Sequence, residues 1–453
     1  MVPVSPKRAS LHTLGCRLNQ AETSLLEERL VAAGYTLVPF GDPADLAIVN
    51  TCTVTHEADA KSRKLIRQFI RKNPGAYAAV VGCYAQTGYA ALAEIEGLDL
   101  IVGNEEKLNV LDYVAEGKNA RPVIVRDRMT RDDFEIPFCE GGAAIDRRTN
   151  LKVQDGCDFM CSFCLIPFAR GRARARAMNN LIDEARSLVE RGARELVLTG
   201  VNIGTYRHEG RDVVDMVDAL DAVEGLDRVR ISSIEPTTIP ESLFERMADP
   251  GHVLVPYLHI PLQAGSNRVL EAMKRRYTRE EFIDFVNLAA ERVPGIGMGT
   301  DILVGFPGET DGDFEDTLDL LTEAPLFYAH VFKYSERKGT ASLRLPGKVD
   351  PKVASTRSAR LRRRSARKTR QFQERMIGSV EEVLFEQVED GLWAGYTGNY
   401  VRVVAGSKDS LRNEMRAVRL DRVVGDVVVG EIAGAVISEP DAMPTKEPVP
   451  HGG

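Results

Sequence analysis

The chain has 453 residues, of which 43% are hydrophobic and 28% charged, and its formal net charge is −7. This is the composition of a globular protein with room for about three domains, and an evenly spread negative charge would argue against nucleic-acid binding. No apolar run approaches the ~18 residues of a membrane span, and no hydrophobic signal core follows the N-terminus, so we expect a cytoplasmic protein with no membrane partner.

Residues 8–140 alternate short apolar runs with helical patterns, which predicts a parallel α/β sheet. Strands are predicted to end at Cys16, Cys52 and Cys83. The carboxyl ends of parallel strands meet at one edge of a sheet, where ligands bind in open α/β folds. This pattern favours a three-thiolate site over three separate buried cysteines, which is the alternative. Cys139 fits no set and is interpreted as incidental.

A second group of three cysteines, Cys157, Cys161 and Cys164, lies in the stretch QDGCDFMCSFCLIPFARGRARAR, which begins at Gln154. Their spacing is C-x3-C-x2-C, and cysteine is rare in this chain, with seven among 453 residues. Three thiolates can hold an iron–sulfur cluster and leave one iron open for a small molecule. The spacing therefore predicts a cluster with an open coordination position.

Three other interpretations of this triplet are weaker. A disulfide is disfavoured because the number of cysteines is odd and nothing indicates an oxidising compartment. A structural zinc site needs a fourth ligand, and none lies nearby in sequence. The same offsets fall on one face of a helix, but Gly156 and Pro167 bracket the run and argue against a helical core.

Residues 149–335 repeat a strand followed by an amphipathic helix, with polar residues at the strand exits. This predicts a partial or full (β/α) barrel whose active rim lies at the carboxyl ends of its strands. A basic helix is predicted at 352–375, which is either a solvated face or a phosphate-binding element. The tail at 441–453 is predicted to be disordered.

Residues 379–437 read as five short strands separated by turns, which predicts a small β-barrel. Trp393, Tyr396, Tyr400 and Arg402 would give this barrel an aromatic and basic face for single-stranded RNA. The alternative is that Trp393 only fills the core of the barrel.

Over residues 8–438 the chain resembles the methylthiotransferase branch of radical S-adenosylmethionine (SAM) enzymes. HTLGCRLNQAET, VNTCTVTHEADAKSRKLIR and VVGCYAQ are similar to the bacterial enzymes that act on threonylcarbamoyladenosine in tRNA. Arg17 and Ala264 depart from the usual lysine and serine of that branch. The resemblance implies an α/β fold with four parts, namely an auxiliary-cluster domain at 8–140, a radical SAM partial (β/α) barrel at 141–375, a TRAM RNA-binding barrel at 376–440 and a tail at 441–453.

The resemblance also implies two [4Fe–4S] clusters and SAM as cofactors. One cluster would be held by the three cysteines of the C-x3-C-x2-C motif and, once reduced, would cleave SAM, and the other would be held by Cys16, Cys52 and Cys83. SAM contacts are expected from barrel strand exits, although each of these residue types also serves in caps and turns: Gly200, Asn202, Ser232, Glu235, Gln263 and Asp301. Arg170 and Arg172 are expected to contact SAM or RNA phosphate.

The activity implied is transfer of a methylthio group to carbon 2 of threonylcarbamoyladenosine beside the tRNA anticodon. Its expected partners are the tRNA anticodon loop, a low-potential electron donor and a sulfur donor. Two alternatives stay open at this point. One is the same chemistry on isopentenyladenosine in tRNA or on a ribosomal protein aspartate. The other is an RNA-binding iron–sulfur protein without catalysis.

Overall fold

A computed structural model describes residues 7–138, 144–145 and 148–433. Cys139 and the tail at 441–453 lie outside the described residues. The chain divides into two compact units between Thr369 and Arg370. The three domain limits drawn from the sequence remain predictions. Among the described helices, none is both long enough and apolar enough to cross a membrane.

The N-terminal part of the first unit is a parallel sheet of six strands in the order β2-β1-β3-β4-β5-β6, as the sequence predicts. Its strands are β1 (Arg8–Thr13), β2 (Thr36–Leu37), β3 (Leu46–Thr51), β4 (Tyr77–Gly82), β5 (Leu100–Val102) and β6 (Val123–Val125). Its α-helices are α1 (Arg17–Ala32), α2 (His56–Lys72), α3 (Cys83–Thr87) and α4 (Tyr89–Ala93).

The two central strands explain why this sheet forms. Every residue of β3 and of β4 is buried, because helices cover both faces of a parallel sheet and its strands are mostly apolar. Helix α1 buries Leu25, Leu26 and Leu30. Its periodicity also predicts Val31 on the buried face, but that side chain is exposed.

The middle of the chain forms a partial barrel from two parallel three-stranded sheets, β11-β10-β7 and β12-β13-β14. Backbone bonds from Val229 N to Val253 O (2.7 Å) and from Val255 N to Val229 O (3.0 Å) connect the two sheets. The strands of this region, including the short β8–β9 pair, are β7 (Thr149–Lys152), β8 (Gln154–Asp155), β9 (Arg174–Ala175), β10 (Glu195–Thr199), β11 (Arg228–Ile231), β12 (Tyr257–His259), β13 (Gly297–Val304) and β14 (Tyr328–Lys333). The predicted (β/α) repeat is confirmed.

Helices alternate with these strands and bury their apolar faces against them. They are α5 (Ile166–Arg170), α6 (Met178–Glu190), α7 (Val213–Asp221), α8 (Ser242–Ala248), α9 (Asn267–Ala272), α10 (Arg279–Arg292) and α11 (Asp311–Glu323). Thr278 and Thr310 begin α10 and α11 with capping boxes, in which the side chain of each threonine accepts a bond from a backbone amide of the first turn. These helices hold the strand exits at one end of the partial barrel.

Helix α12 (Pro351–Arg375) is the predicted basic helix. In the second unit, a closed barrel has the strand order β15-β16-β17-β19-β18, which confirms the predicted small β-barrel. Its strands are β15 (Val380–Glu389), β16 (Leu392–Thr397), β17 (Arg402–Ala405), β18 (Glu414–Val424) and β19 (Val427–Ile432). The Tyr396 and Tyr400 rings stack with centroids 5.0 Å apart, while Trp393 is half-buried.

Candidate metal centres and active site

The first three cysteines follow neighbouring strands of the N-terminal sheet. Cys16 precedes α1, Cys52 comes directly after β3, and Cys83 begins α3 directly after β4. Cys16 is exposed, whereas Cys52 and Cys83 are buried. The structure therefore places all three at the carboxyl edge of the sheet, as the strand pattern predicts.

The loops that carry Cys16 and Cys52 are in contact. Gly15 has a φ of +104°, and a Cβ at this position would lie 2.6 Å from the Cβ of Cys52, so only glycine fits there. Burial, together with the neighbouring Cys83 and Cys16 thiols, raises the pKa of the Cys52 thiol to about 12. Buried neighbouring thiols ionise together only beside a positive charge, and the iron ions of an iron–sulfur cluster would supply it.

Two polar side chains from distant parts of the chain support this edge. The amide Nδ2 of Asn104 lies 3.6 Å from Cys83 Sγ and donates to Ala169 O at 2.7 Å. The guanidinium of Arg337 donates to the hydroxyl of Thr53, the residue after Cys52, at 2.6 Å. Sequence reasoning missed both residues, because neither has a motif or a spacing that relates it to the cysteines.

The second set of cysteines lies on a non-helical loop that precedes α5, as the bracketing glycine and proline predict. Gly156 has a φ of +69°, and a Cβ there would lie 1.9 Å from Arg172 O. Cys157 N donates to Gly171 O at 3.1 Å. The start of the loop is thus held against the backbone that follows α5.

Backbone amides point at two of the three sulfurs of this loop. Phe159 N donates to Cys157 Sγ at 3.5 Å, and Ile166 N donates to Cys164 Sγ at 3.4 Å. Burial, together with the neighbouring Cys161 thiol, raises the pKa of Cys157 to about 11 and that of Cys164 to about 12. Amide hydrogen bonds to sulfur stabilise thiolate ligands of iron–sulfur clusters, so the donor set fits such a cluster.

Arg275 connects this loop to the barrel rim. Its side chain is 2% exposed and its Nη1 donates to Cys161 Sγ at 3.3 Å. Its Nη2 is bonded to the Glu235 carboxylate and lies 3.0 Å from the Tyr277 hydroxyl. Arg275 stands 114 positions after Cys161, and nothing in the sequence relates the two residues.

Three of the residues expected to contact SAM meet at the exits of β10 and β11. The Asn202 Oδ1 accepts bonds from Glu235 N at 3.2 Å and from the Thr238 hydroxyl at 2.9 Å. The buried Asn202 Nδ2 has no hydrogen-bond partner within the described part of the chain. A Cβ at Gly200 would lie 2.8 Å from the side-chain oxygen of Gln154, so this turn packs directly against the start of the cysteine loop.

The other three expected SAM contacts lie on neighbouring strands. Ser232 comes directly after β11, and Gln263, with a φ of +70°, donates its backbone N–H to Asp301 O at 2.8 Å. The Asp301 carboxylate lies 3.1 Å from His259 Nε2. Burial raises the pKa of Glu235 and Asp301 adds to the rise, while Arg275 opposes it. The rim thus gathers donors, acceptors and one buried ion pair beside the cysteine loop.

Arg170 and Arg172 differ from each other in their surroundings. Arg170 is 1% exposed, and its guanidinium bonds to Asn19, Glu22 and Asp155. The expected contact of Arg170 with SAM or RNA is therefore wrong, because its donors are committed inside the protein. Arg172 is exposed and lies 3.6 Å from the Asp158 carboxylate.

Within the described ranges, no three His, Cys, Asp or Glu side chains converge tightly enough to hold a single metal ion. The cysteine ligands of a four-iron cluster lie farther apart than the ligands of a single ion, because each thiolate binds a different iron.

Two families match successive parts of the chain. Residues 8–103 match the uncharacterized protein family UPF0004, and residues 151–321 match the Radical SAM superfamily. The first match contains Cys16, Cys52 and Cys83, and the second contains the whole C-x3-C-x2-C loop.

Several relatives are similar along most of the chain. One is the threonylcarbamoyladenosine tRNA methylthiotransferase MtaB of Bacillus subtilis (strain 168), at 37% identity over 89% of this chain and 91% of the relative. The MtaB of Aquifex aeolicus (strain VF5) is 35% identical over 88% of this chain and all of its own length. A tRNA-2-methylthio-N(6)-dimethylallyladenosine synthase of Roseobacter denitrificans is 33% identical over 84% of this chain and 88% of its own.

Among solved structures, the radical S-adenosylmethionine methyltransferase TsrM of Kitasatospora setae, with cobalamin and a [4Fe–4S] cluster bound, superposes with a TM-score of 0.53. The alignment covers 86% of this chain and 77% of that one at 15% identity. The likeness concerns the fold alone.

Proposed function

Because this chain belongs to the radical SAM methylthiotransferase family, on its threonylcarbamoyladenosine tRNA branch, we propose that it adds a methylthio group to carbon 2 of threonylcarbamoyladenosine beside the tRNA anticodon. It is a SAM-dependent tRNA-modifying enzyme with two [4Fe–4S] clusters. The observation that carries this function is the 37% and 35% identity, along nearly the whole chain, to two enzymes named for that reaction.

We assign one cluster to each group of three cysteines. The loop with Cys157, Cys161 and Cys164 would hold the cluster that binds SAM, and this is supported by its amide and guanidinium donors to sulfur. Cys16, Cys52 and Cys83 would hold the auxiliary cluster. When bound, the first cluster supplies an electron for SAM cleavage and the second supplies sulfur.

The barrel rim would bind and orient SAM. The unpartnered Asn202 Nδ2 is a donor for a SAM oxygen, and Glu235 is an acceptor for an ammonium or a hydroxyl group. Arg275 fixes the Glu235 carboxylate in position and keeps a positive charge beside Cys161. Ser232, Gln263 and Asp301 complete the proposed contact surface.

The RNA would be bound by basic and aromatic side chains. Arg362 and Arg363 on α12 are exposed and suit contacts with phosphate. In the second unit, the stacked Tyr396 and Tyr400 rings offer a surface for an unpaired base of the anticodon loop. A low-potential electron donor, a sulfur donor and a cytoplasmic location remain part of the proposal.

Dimethylallyladenosine tRNA is a second candidate substrate. The synthase of Roseobacter denitrificans is only four percentage points less identical than the Bacillus enzyme, at 33% against 37%. Both substrates carry a bulky group on the same adenine nitrogen, so the two reactions need the same placement of carbon 2.

Mass spectrometry of tRNA nucleosides tests this function. A strain that lacks the gene should accumulate unmethylthiolated threonylcarbamoyladenosine, and the wild-type gene should restore the methylthio product, whereas a Cys157→Ala gene should not. Accumulation of the dimethylallyl nucleoside alone would instead assign the second substrate. Purified, reconstituted protein should hold about eight irons, and a Cys16/Cys52/Cys83→Ala variant should hold about half of them and still cleave SAM.

A further inference from the structure

Five charged side chains, each at most 7% exposed, meet between the N-terminal sheet and the partial barrel within the first unit. Two come from the N-terminal part and three from the barrel part: Glu22, Lys107, Lys152, Asp155 and Arg170. Fully buried charges are rare unless they are paired. The balance of positive and negative charges among these five side chains therefore needs an explanation.

The two carboxylates of the cluster are shared by three cations. Glu22 is bonded to Lys107, to Lys152 at 2.8 Å and to Arg170 at 3.0 Å. Asp155 is bonded to Lys152 at 2.7 Å and to Arg170 at 3.0 Å. The cluster therefore has one positive charge in excess.

The directions of the pKa values agree with this excess. Burial would raise the pKa of Glu22, but Arg170, Lys107 and Lys152 hold it well below its ordinary value. Burial lowers the pKa of Lys107 even though Glu22 opposes the change. An excess cation without a counter-charge would destabilise the folded protein.

Arg170 and Lys107 are the cations of this group that face the auxiliary cysteines, because the Cys83 thiol acts electrostatically on both of them. Arg170 Nη2 donates to Asn19 Oδ1 at 2.6 Å, and Asn19 Nδ2 donates to Leu14 O at 2.7 Å and to Thr51 O at 3.1 Å. Leu14 and Thr51 flank the Cys16 and Cys52 loops. On the other side, Asn104 links the residue before Arg170 to Cys83 Sγ.

An anion at this position would balance the charge. An oxidised four-iron cluster held by three thiolates carries one negative charge overall. The neutral thiols of the cluster-free protein provide no such charge. The single excess positive charge of the five buried side chains would thus be balanced by the single negative charge of an iron–sulfur cluster bound to Cys16, Cys52 and Cys83.

We propose that the excess cation of this buried cluster, held by Lys107 and Arg170, is the counter-charge of the auxiliary iron–sulfur cluster. This positive charge makes the iron–sulfur cluster easier to reduce. It also couples binding of the iron–sulfur cluster to the packing of the N-terminal sheet against the barrel. This inference rests on the proposed function, in particular on the assignment of Cys16, Cys52 and Cys83 to a cluster.

Potentiometric titration of the full-length chain tests the inference. A Cys157/Cys161/Cys164→Ala background leaves only the auxiliary cluster, whose EPR signal then reports its midpoint potential. Lys107→Met removes the excess charge and leaves Glu22 paired with Lys152 and Arg170. The midpoint potential should move to more negative values.

Lys152→Met is the matched control, because it removes the same charge from the barrel side of the buried cluster, where Lys152 also pairs with Asp155. Its shift should be clearly smaller than that of Lys107→Met. Equal shifts, or no shift with Lys107→Met, would overturn the inference. If Lys107→Met does not fold, Lys107→Gln makes the same change in charge.

Thermal unfolding gives a second readout. The difference in Tm between cluster-loaded and cluster-free protein should be smaller in Lys107→Met than in the parent, because the cluster-free variant no longer buries an unbalanced cation. An unchanged difference contradicts the linkage. A background protein that binds no iron would overturn the cluster assignment itself, which is a failure distinct from an unchanged potential.

Discussion

Arg275 shows how one side chain can join two parts of a site that are distant in sequence. It bonds to Cys161 Sγ and to the Glu235 carboxylate, while its burial excludes water from both contacts. A hydrogen bond to a charged group contributes about 1.5–3 kcal/mol. This side chain therefore affects both the cysteine loop and the expected SAM contact.

Replacing Arg275 by methionine should slow SAM cleavage at least about tenfold, because the loss of one charged hydrogen bond is worth that factor. The measurement is 5′-deoxyadenosine formation by reduced protein without tRNA. Lys274→Met is the control, since its exposed neighbouring side chain carries the same charge. Cleavage at the parent rate in Arg275→Met would remove the residue from the site.

The cysteines and their supporting residues differ in how far the sequence reveals them. The six site cysteines are marked by their spacing and by their positions at strand ends. Asn104, Arg275 and Arg337 have no such mark, because their contacts at the two sites are made across 21 to 284 positions of the chain. Tertiary packing within each part brings Asn104 to Cys83 and Arg275 to Cys161, and packing of the barrel against the sheet brings Arg337 to Thr53.

The cysteine loop before α5 depends on its first glycine. Gly156 combines a φ of +69° with a backbone carbonyl 1.9 Å from any added Cβ. The positive φ alone costs a non-glycine residue on the order of 1–3 kcal/mol, and a carbonyl cannot move aside as a flexible side chain can.

Gly156→Ala should therefore lose the iron of this loop, about half of the total, and should be destabilised by more than about 3 kcal/mol. Iron analysis and urea unfolding measure the two effects. Gly210→Ala is the control, because Gly210 has a φ of +79° and nothing within 4 Å of an added Cβ. If both variants retain full iron, the loop tolerates a side chain at this position.

Strands and helices follow closely from the sequence pattern. The mostly apolar runs predicted as buried strands form β3 and β4, and the (β/α) repeat predicts the order of the barrel elements. Element ends are less regular, since β1 ends at Thr13, three residues before Cys16. Val31 is exposed although it follows the helical period of α1. The period shows which residues share a face of the helix, but it does not show how much of that face the neighbouring elements cover.

The net charge of −7 hides an uneven distribution. Ten lysines and arginines lie within α12, and the second unit adds aromatic rings on its barrel. The average charge of a chain thus says little about RNA binding, whereas local clustering does.

Binding of tRNA should weaken steeply as salt increases, because displaced counterions return to the RNA. Deletion of residues 376–453 should lower the affinity at least about tenfold and reduce the salt slope, while reductive SAM cleavage without tRNA stays intact. Filter binding over a range of salt concentrations measures both effects. An unchanged slope after the deletion would give the second unit another role.

The buried group of five charges also constrains how this protein can be recombined. Glu22 and Lys107 come from the segment before the barrel, and Lys152, Asp155 and Arg170 come from the barrel itself. A chimera that joins the N-terminal sheet of one homologue to the barrel of another keeps the ion pairs only if both parents carry the same charges at these positions. The two segments should therefore be exchanged together.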